Sequence, residues 1–290
     1  MDPIAFITDP LAYDFMQRGL AAAVIVGIVC AVVGTFVVLK GLAFIGDAVS
    51  HAAFPGLVIA FILGVPLYLG GAVAAVGTAL AIGVVSRRSR LRFDTTVGVL
   101  FAGTFALGIL LFSTIKSYVA DLLGYLLGNV LGIGVGDLIQ VAVLGIVVLA
   151  IVVVIRKELL FATFDPLGAA ASGLPVAFLE YLLLALIGVT IVVSIQAVGI
   201  VMVVAMLVTP AATAQLLVVR FDRLMLLAGV IAAVSAVSGL YLSFYANLAS
   251  GASIVLIETG FFLVALLLGP RSGLLARRRV ARASVEPASS

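Results

Sequence analysis

Asp47 and His51 stand four residues apart in the segment GLAFIGDAVSHAAFPGLVIAF, a spacing that puts both side chains on one face of a helix. A carboxylate supplies negative charge and a neutral imidazole supplies a directional lone pair. Together they suit a borderline or hard divalent cation such as manganese, zinc or iron(II). Ser50 adds a hydroxyl beside them. Pro55 cannot donate to the carbonyl of His51, which weakens that turn and leaves one backbone oxygen free for a ligand or water. One Asp–His pair is too few ligands for such an ion. Two copies of the chain around a two-fold axis would bring two Asp and two His, and two negative charges to offset the dication.

Spacing alone leaves two other uses of the pair open. An Asp–His hydrogen bond could hold two helices together in lipid. A proton relay is the other, because a histidine near a carboxylate titrates close to neutral pH. His51 is the only histidine of the chain, which counts against any site built from several imidazoles.

Ionisable side chains inside apolar segments cost at least a few kcal/mol and are functional candidates for that reason. Glu180 lies near the start of an apolar run, where it is expected to reach lipid headgroups or cap a helix N-terminus. Glu258, in SIVLIETGFF, is expected near the far end of the last run. Gln196, Thr209, Pro210 and Thr213 make SIQAVGIVMVVAMLVTPAATAQLL polar and breakable, and unwound helices line pathways. The candidates for lining a pathway are therefore Ser50, Gln196, Thr209 and Glu258. Met202 and Met206 share a face at helical spacing and are read as core, as is Cys30, the only cysteine. A single cysteine excludes an intrachain disulfide and a cysteine-based metal cluster.

The elements that position these residues follow from composition. Of 290 residues, 64% are hydrophobic and only 10% charged, with mean hydropathy +1.40. Soluble domains run at roughly 45–50% apolar and 25% charged, so this chain has too little charge to cover a soluble surface. The fold class expected is all-α, a polytopic membrane helix bundle. Apolar runs at about 20–38, 43–63, 66–85, 95–114, 138–155, 176–194, 197–218, 224–246 and 253–269 give nine spans. Eight or ten are the alternatives, because 176–218 is divided only by SIQAVG and the glycine-rich stretch 125–137 could hold a short re-entrant helix.

The placement of lysine and arginine orients the bundle, since basic loops stay on the cytoplasmic side. With the N-terminus outside, 14 of the 16 basic residues fall on one side, leaving only Arg18 and Lys116 on the other. The expected arrangement is N-terminus outside and C-terminus cytoplasmic. The N-terminal MDPIAFITDPLAYDFMQRGL carries acids where a secretory signal has bases, so no cleavage is expected. A transmembrane domain over 1–275 is followed by a basic tail over 276–290 that has no apolar periodicity and is expected to stay unpacked. The net charge of +3 reflects these basic loops and does not call for nucleic acid.

No GxxxxGK[ST], HExxH or GxSxG pattern occurs, so no enzymatic activity is expected of the chain alone. A transporter of this kind runs on gradients or on a separate ATPase. RKELLFATFDPLGAAASGLP (156–175) mixes aromatics with small residues, as a short docking helix for such a partner would.

These segments resemble the permeases of manganese/zinc/iron ABC importers. GLAFIGDAVSHAAFPG is similar to that family's signature in the second span, FDPLGAAASG to its cytoplasmic coupling segment, and GIVMVVAMLVTPAATAQLL to a further conserved block, in the family's order along roughly 15–270. The resemblance implies a permease pair, a homodimer being expected, in a bacterial cytoplasmic membrane. It also implies two cytoplasmic ATP-binding subunits and an extracytoplasmic solute-binding protein. It places Asp47 and His51 in the translocation path, and Phe164, Asp165, Ala169 and Gly173 in the coupling segment. The cargo implied is a divalent metal that is carried and not kept as a cofactor; the lack of further histidines favours manganese over zinc. A proton-coupled secondary metal transporter and an ABC permease for a metal chelate are the alternative functions.

Overall fold

The structure is a computed structural model that describes residues 8–89, 91–115 and 130–269, without the side chains of Gln196 and Val201. Among the described residues the chain folds into helices α1 (Asp14–Leu39), α2 (Ala43–Leu63), α3 (Leu67–Arg88), α4 (Phe93–Ser113), α5 (Val135–Val154), α6 (Arg156–Phe164), α7 (Pro166–Ala171), α8 (Val176–Val198), α9 (Ile200–Leu217), α10 (Phe221–Ala246) and α11 (Ser250–Leu268). A helix satisfies its own backbone groups, which is why apolar segments cross lipid in this form. Eight of these helices are long and apolar enough to span a membrane, and α9 contributes a shorter apolar helix. The nine expected spans thus correspond to nine helices.

Helix ends depart from the apolar runs for local reasons. α1 begins at Asp14, several residues before the apolar run, because an acid in the first turn favours a helix N-terminus. The split of 176–218 falls at Gly199, whose φ of +81° suits a residue without a side chain. Of the stretch 125–137, Val130–Gly132 forms a 3-10 turn leading into α5. Residues 125–129 of the stretch, Lys116 and Asp121, and the basic tail over 276–290 lie outside the described residues.

α1 and α2 are the most enclosed spans, whereas α4, α5 and α11 are peripheral. α1 packs against α5, α8, α9 and α10; α2 packs against α3 and α4; α9 touches α1, α2, α10 and α11. Small residues set the closest approaches. A Cβ on Gly56 of α2 would collide with the carbonyl oxygen of Gly70 on α3, and a Cβ on Gly70 with that of Gly56, so these two backbones are in direct contact.

Ion pairs gather basic residues from separate loops. Glu180 lies 3.6 Å from Lys40 Nζ and 3.1 Å from Arg87, and Arg156 lies 3.4 Å from Asp222. Lys40, Arg87, Arg156 and Asp222 come from helix ends that the charge pattern assigns to one face. Of the two roles expected of Glu180, capping does not apply: it sits inside α8, beyond the capping position at Pro175, and pairs with Lys40 and Arg87 from the ends of α1 and α3.

Candidate metal-binding site

α2 continues through Pro55 from Ala43 to Leu63, so the four-residue spacing of Asp47 and His51 becomes a shared face. His51 Nε2 lies 3.5 Å from Asp47 Oδ1. Two donors held about 2.1 Å from one ion at a tetrahedral or right angle are themselves roughly 3–3.5 Å apart. The pair therefore has the separation of neighbouring ligands on one cation, and is longer than a good N–H···O bond of about 2.9 Å.

The two side chains are reachable. The Asp47 side chain is 52% exposed and that of His51 31%. Ser50 is fully buried, and its hydroxyl donates to the Asp47 carbonyl at 2.8 Å, so it braces the turn that carries the carboxylate. Pro55 lacks the N–H that would bond the His51 carbonyl, which leaves this oxygen without its helical donor next to the imidazole.

α4 holds the imidazole. Phe105 and Phe101 meet the His51 ring edge-on, with centroids at 5.2 and 5.6 Å, and stack on each other at 6.0 Å. Gly108 lets α4 come this close: a Cβ there would sit 2.6 Å from Phe54 and 3.1 Å from Pro55. Sequence reading passed over both phenylalanines. Their signal is the four-residue repeat in FAGTFALG, which marks one helix face.

The other candidates are spread more widely. Thr209 is half-buried on α9, and its carbonyl accepts from the Thr213 hydroxyl at 2.7 Å. The Gln196 side chain lies outside the described residues. Glu258 is fully buried on α11, and neither carboxylate oxygen has a hydrogen-bond partner among the described residues. α11 packs on α9 and α10, and α2 on α3, α4, α8 and α9, so among the described residues Glu258 and Asp47 lie on helices that meet through α9. Met202 and Met206 are buried core residues, and Cys30 is buried with its thiol 3.3 Å from the Ser194 hydroxyl.

Among the described residues no group of three or more His, Cys, Asp or Glu side chains is placed to hold a metal. One chain thus offers two side-chain donors at the pair. A complete shell needs water, backbone oxygens or a second molecule.

The segment 156–175, expected to hold a short docking helix, carries two, α6 and α7. The Asp165 carboxylate accepts from Gly168 N–H at 2.8 Å and Pro166 occupies the first position of α7, a strong helix start. Ala169 is buried, Gly173 closes the turn with φ +84°, and Phe164 and Leu167 stand 67% and 84% exposed.

A family model described as the ABC 3 transport family matches residues 12–269. The chain is 44% identical over 278 residues to the manganese transport system membrane protein MntC of Halalkalibacterium halodurans, covering 96% of this chain and 95% of that protein. It is 42% identical over 263 residues to the chelated iron transport system membrane protein YfeD of Yersinia pestis, covering 91% and 88%. The solved structure of PsaBC from Streptococcus pneumoniae in complex with Fab superposes with a TM-score of 0.84 at 36% identity, covering 95% of this chain and 99% of that one.

Proposed function

The chain belongs to the ABC 3 transport family, and from that premise we propose that it is the membrane-spanning subunit of an ATP-driven importer of a divalent metal, manganese before zinc or iron. The observation that carries this reading is the Asp47–His51 pair at ligand separation on a helix that contains a proline. Relatives named for manganese and for chelated iron support a metal as cargo. Membership in an ABC transport family supports an ATP-driven mechanism over a proton-coupled one.

The working unit is a pair of permeases, with the N-terminus of each outside a bacterial cytoplasmic membrane and the C-terminus inside. Two copies bring two Asp47 carboxylates and two His51 imidazoles to the translocation path, which fills the shell that one chain leaves open. An extracytoplasmic solute-binding protein delivers the ion, and Ser50, Gln196, Thr209 and Glu258 line the remainder of its route. Cytoplasmic ATP-binding subunits dock on the segment of Phe164, Asp165, Ala169 and Gly173. Their closure moves α6 and α7, and α6 leans on α8, so the push passes into the bundle.

The test is metal accumulation by cells making wild type, Asp47→Ala or His51→Ala, with manganese, zinc and iron supplied in turn and ATP depleted in a parallel arm. Uptake is expected to need both residues and ATP. Undiminished accumulation by both variants would remove the pair from the path, and uptake that survives ATP depletion but not collapse of the proton gradient would favour the secondary-transporter reading.

A further inference from the structure

A cavity of about 470 Å³ opens between the ends of α1, α3 and α8 and the start of α4, with α6 on one side. It is remote in chemistry from the Asp47–His51 pair. Among the described residues its ionised lining side chains are Lys40, Arg87 and Glu180. Each oxygen of the single carboxylate faces one cation, at 3.6 Å for Lys40 and 3.1 Å for Arg87. Two cations against one carboxylate leave the wall with a formal charge of +1. The hydroxyl of Ser86 also lines it.

Much of the remaining lining is apolar, including Leu39, Leu42, Leu183 and Phe93. A free inorganic anion gains nothing from such a surface, whereas a phosphate joined to acyl chains gains burial along it. The cavity gathers the last turns of α1, α3 and α6 and the first turns of α4 and α8, and the ends of membrane-spanning helices are where headgroups meet hydrocarbon. Arg87 is held in place by the Tyr181 ring, with its guanidinium carbon 5.8 Å from the ring centroid, so its fork is oriented before a ligand arrives. The volume lies within the roughly 300–1,000 Å³ of small-molecule sites.

The geometry points to a binding site for the headgroup phosphate of an anionic phospholipid, held by Arg87 and Lys40 with its first acyl methylenes against Leu39, Leu42 and Phe93. Basic pockets between membrane helices recognise anionic headgroups by this combination. Glu180 is the internal competitor of the phosphate: it occupies the two cations when the lipid is absent, and the lipid draws Arg87 and Lys40 away from it. Because Thr163 of α6 lines the same cavity, an occupied site also rests against the segment assigned above to ATPase docking. The lipid preference itself depends on neither the metal nor the ATPase, so it stands or falls separately from the transport reading.

The experiment uses the full chain, purified with whatever subunits accompany it, and reconstituted in nanodiscs of phosphatidylglycerol, phosphatidylcholine or mixtures. Bound lipid is quantified by mass spectrometry after transfer to detergent, and thermal stability is recorded with each lipid and with inorganic phosphate alone. Wild type is expected to retain phosphatidylglycerol over phosphatidylcholine and to melt later with it. Lys40→Gln and Arg87→Gln should each reduce that preference about fivefold, from the value of one basic residue near an anionic surface. Glu180→Gln separates the proposal from a purely structural ion cluster: removal of the competitor should raise phosphatidylglycerol retention even where it lowers basal stability. The proposal is overturned if the lipid preference of Glu180→Gln is unchanged or reduced, if Arg87→Gln retains lipid as wild type does, or if inorganic phosphate alone reproduces the stabilisation.

Discussion

His51 Nε2 stands 3.5 Å from Asp47 Oδ1 on one face of α2, and both side chains remain accessible from outside the chain. This separation suits two ligands sharing a cation better than a closed hydrogen bond. Asp47→Asn keeps the shape of the side chain and removes its charge, and His51→Ala removes the directional nitrogen. Loss of even a supporting partner of a metal ligand weakens binding about 10–100-fold, so each variant should lower manganese uptake at limiting metal by at least about tenfold. Radiometal or inductively coupled plasma accumulation in cells with matched protein levels checks this. A helix-bracing hydrogen bond would show the reverse profile, with lost stability and near-normal uptake by the protein that remains.

Phe105 and Phe101 fix the imidazole from α4. An aromatic edge contact is worth about 0.5–1.5 kcal/mol, or roughly 2- to 12-fold in an equilibrium. Phe105→Leu retains most of the apolar volume and loses the ring edge. The expected result is a several-fold rise in the metal concentration for half-maximal uptake with little change in maximal rate. A fall confined to the maximal rate would place Phe105 in the motion of α4 instead of in the positioning of His51.

The backbones of α2 and α3 touch at Gly56 and Gly70, so a methyl group at either point meets a carbonyl oxygen. Forced overpacking costs typically about 1–3 kcal/mol even where neighbours can shift, and here the obstacle is backbone. Gly56→Val should reduce the yield of folded protein and lower the midpoint of thermal aggregation. Gly103 of α4, where a Cβ would meet nothing within 4 Å, supplies the control: Gly103→Ala should be neutral or mildly stabilising, since alanine favours the helix by about 1 kcal/mol.

The span pattern and the Asp47–His51 face were legible in the sequence because both rest on local periodicity, apolar length for the former and a four-residue repeat for the latter. Even the ambiguous 176–218 stretch divided at the residue able to take a positive φ, Gly199. Contacts between distant segments were not legible in that way. Nothing near Glu180 in the chain announces Lys40 and Arg87, which reach it only after α1, α3 and α8 converge. Phe101 and Phe105 likewise read as ordinary lipid-facing residues until α4 is laid along α2. A short helix was expected within 156–175, but its division into a nine-residue and a six-residue helix was not, because both are too short for a periodic signal, although Asp165-Pro166 is a recognisable start.

Glu258 is fully buried without a hydrogen-bond partner among the described residues. An unsatisfied buried polar group costs about 1–3 kcal/mol, and a methionine of similar length carries no such cost. Glu258→Met should therefore raise the thermal midpoint of the purified protein. Uptake measured on the same variant then reports the separate assignment of Glu258 to the ion route: stabilisation with lost uptake is the expected combination. A lowered midpoint would mean that the carboxylate has a bonding partner that the protein needs.

The segment around Asp165 allows shape and contact to be separated. The Asp165 carboxylate caps α7 through Gly168 N–H, and replacing such a cap by alanine costs about 0.5–2 kcal/mol. Phe164 is two-thirds exposed, so its side chain stabilises the isolated chain little. Phe164→Ala should leave the thermal midpoint of the permease unchanged and abolish co-purification of the ATP-binding subunits. Asp165→Ala should weaken co-purification less, through fraying of α7, and Asp165→Asn should restore it because the amide oxygen still accepts the Gly168 bond. Full recovery of the complex with Phe164→Ala would move the docking surface away from 156–175, whatever the behaviour of the Asp165 variants.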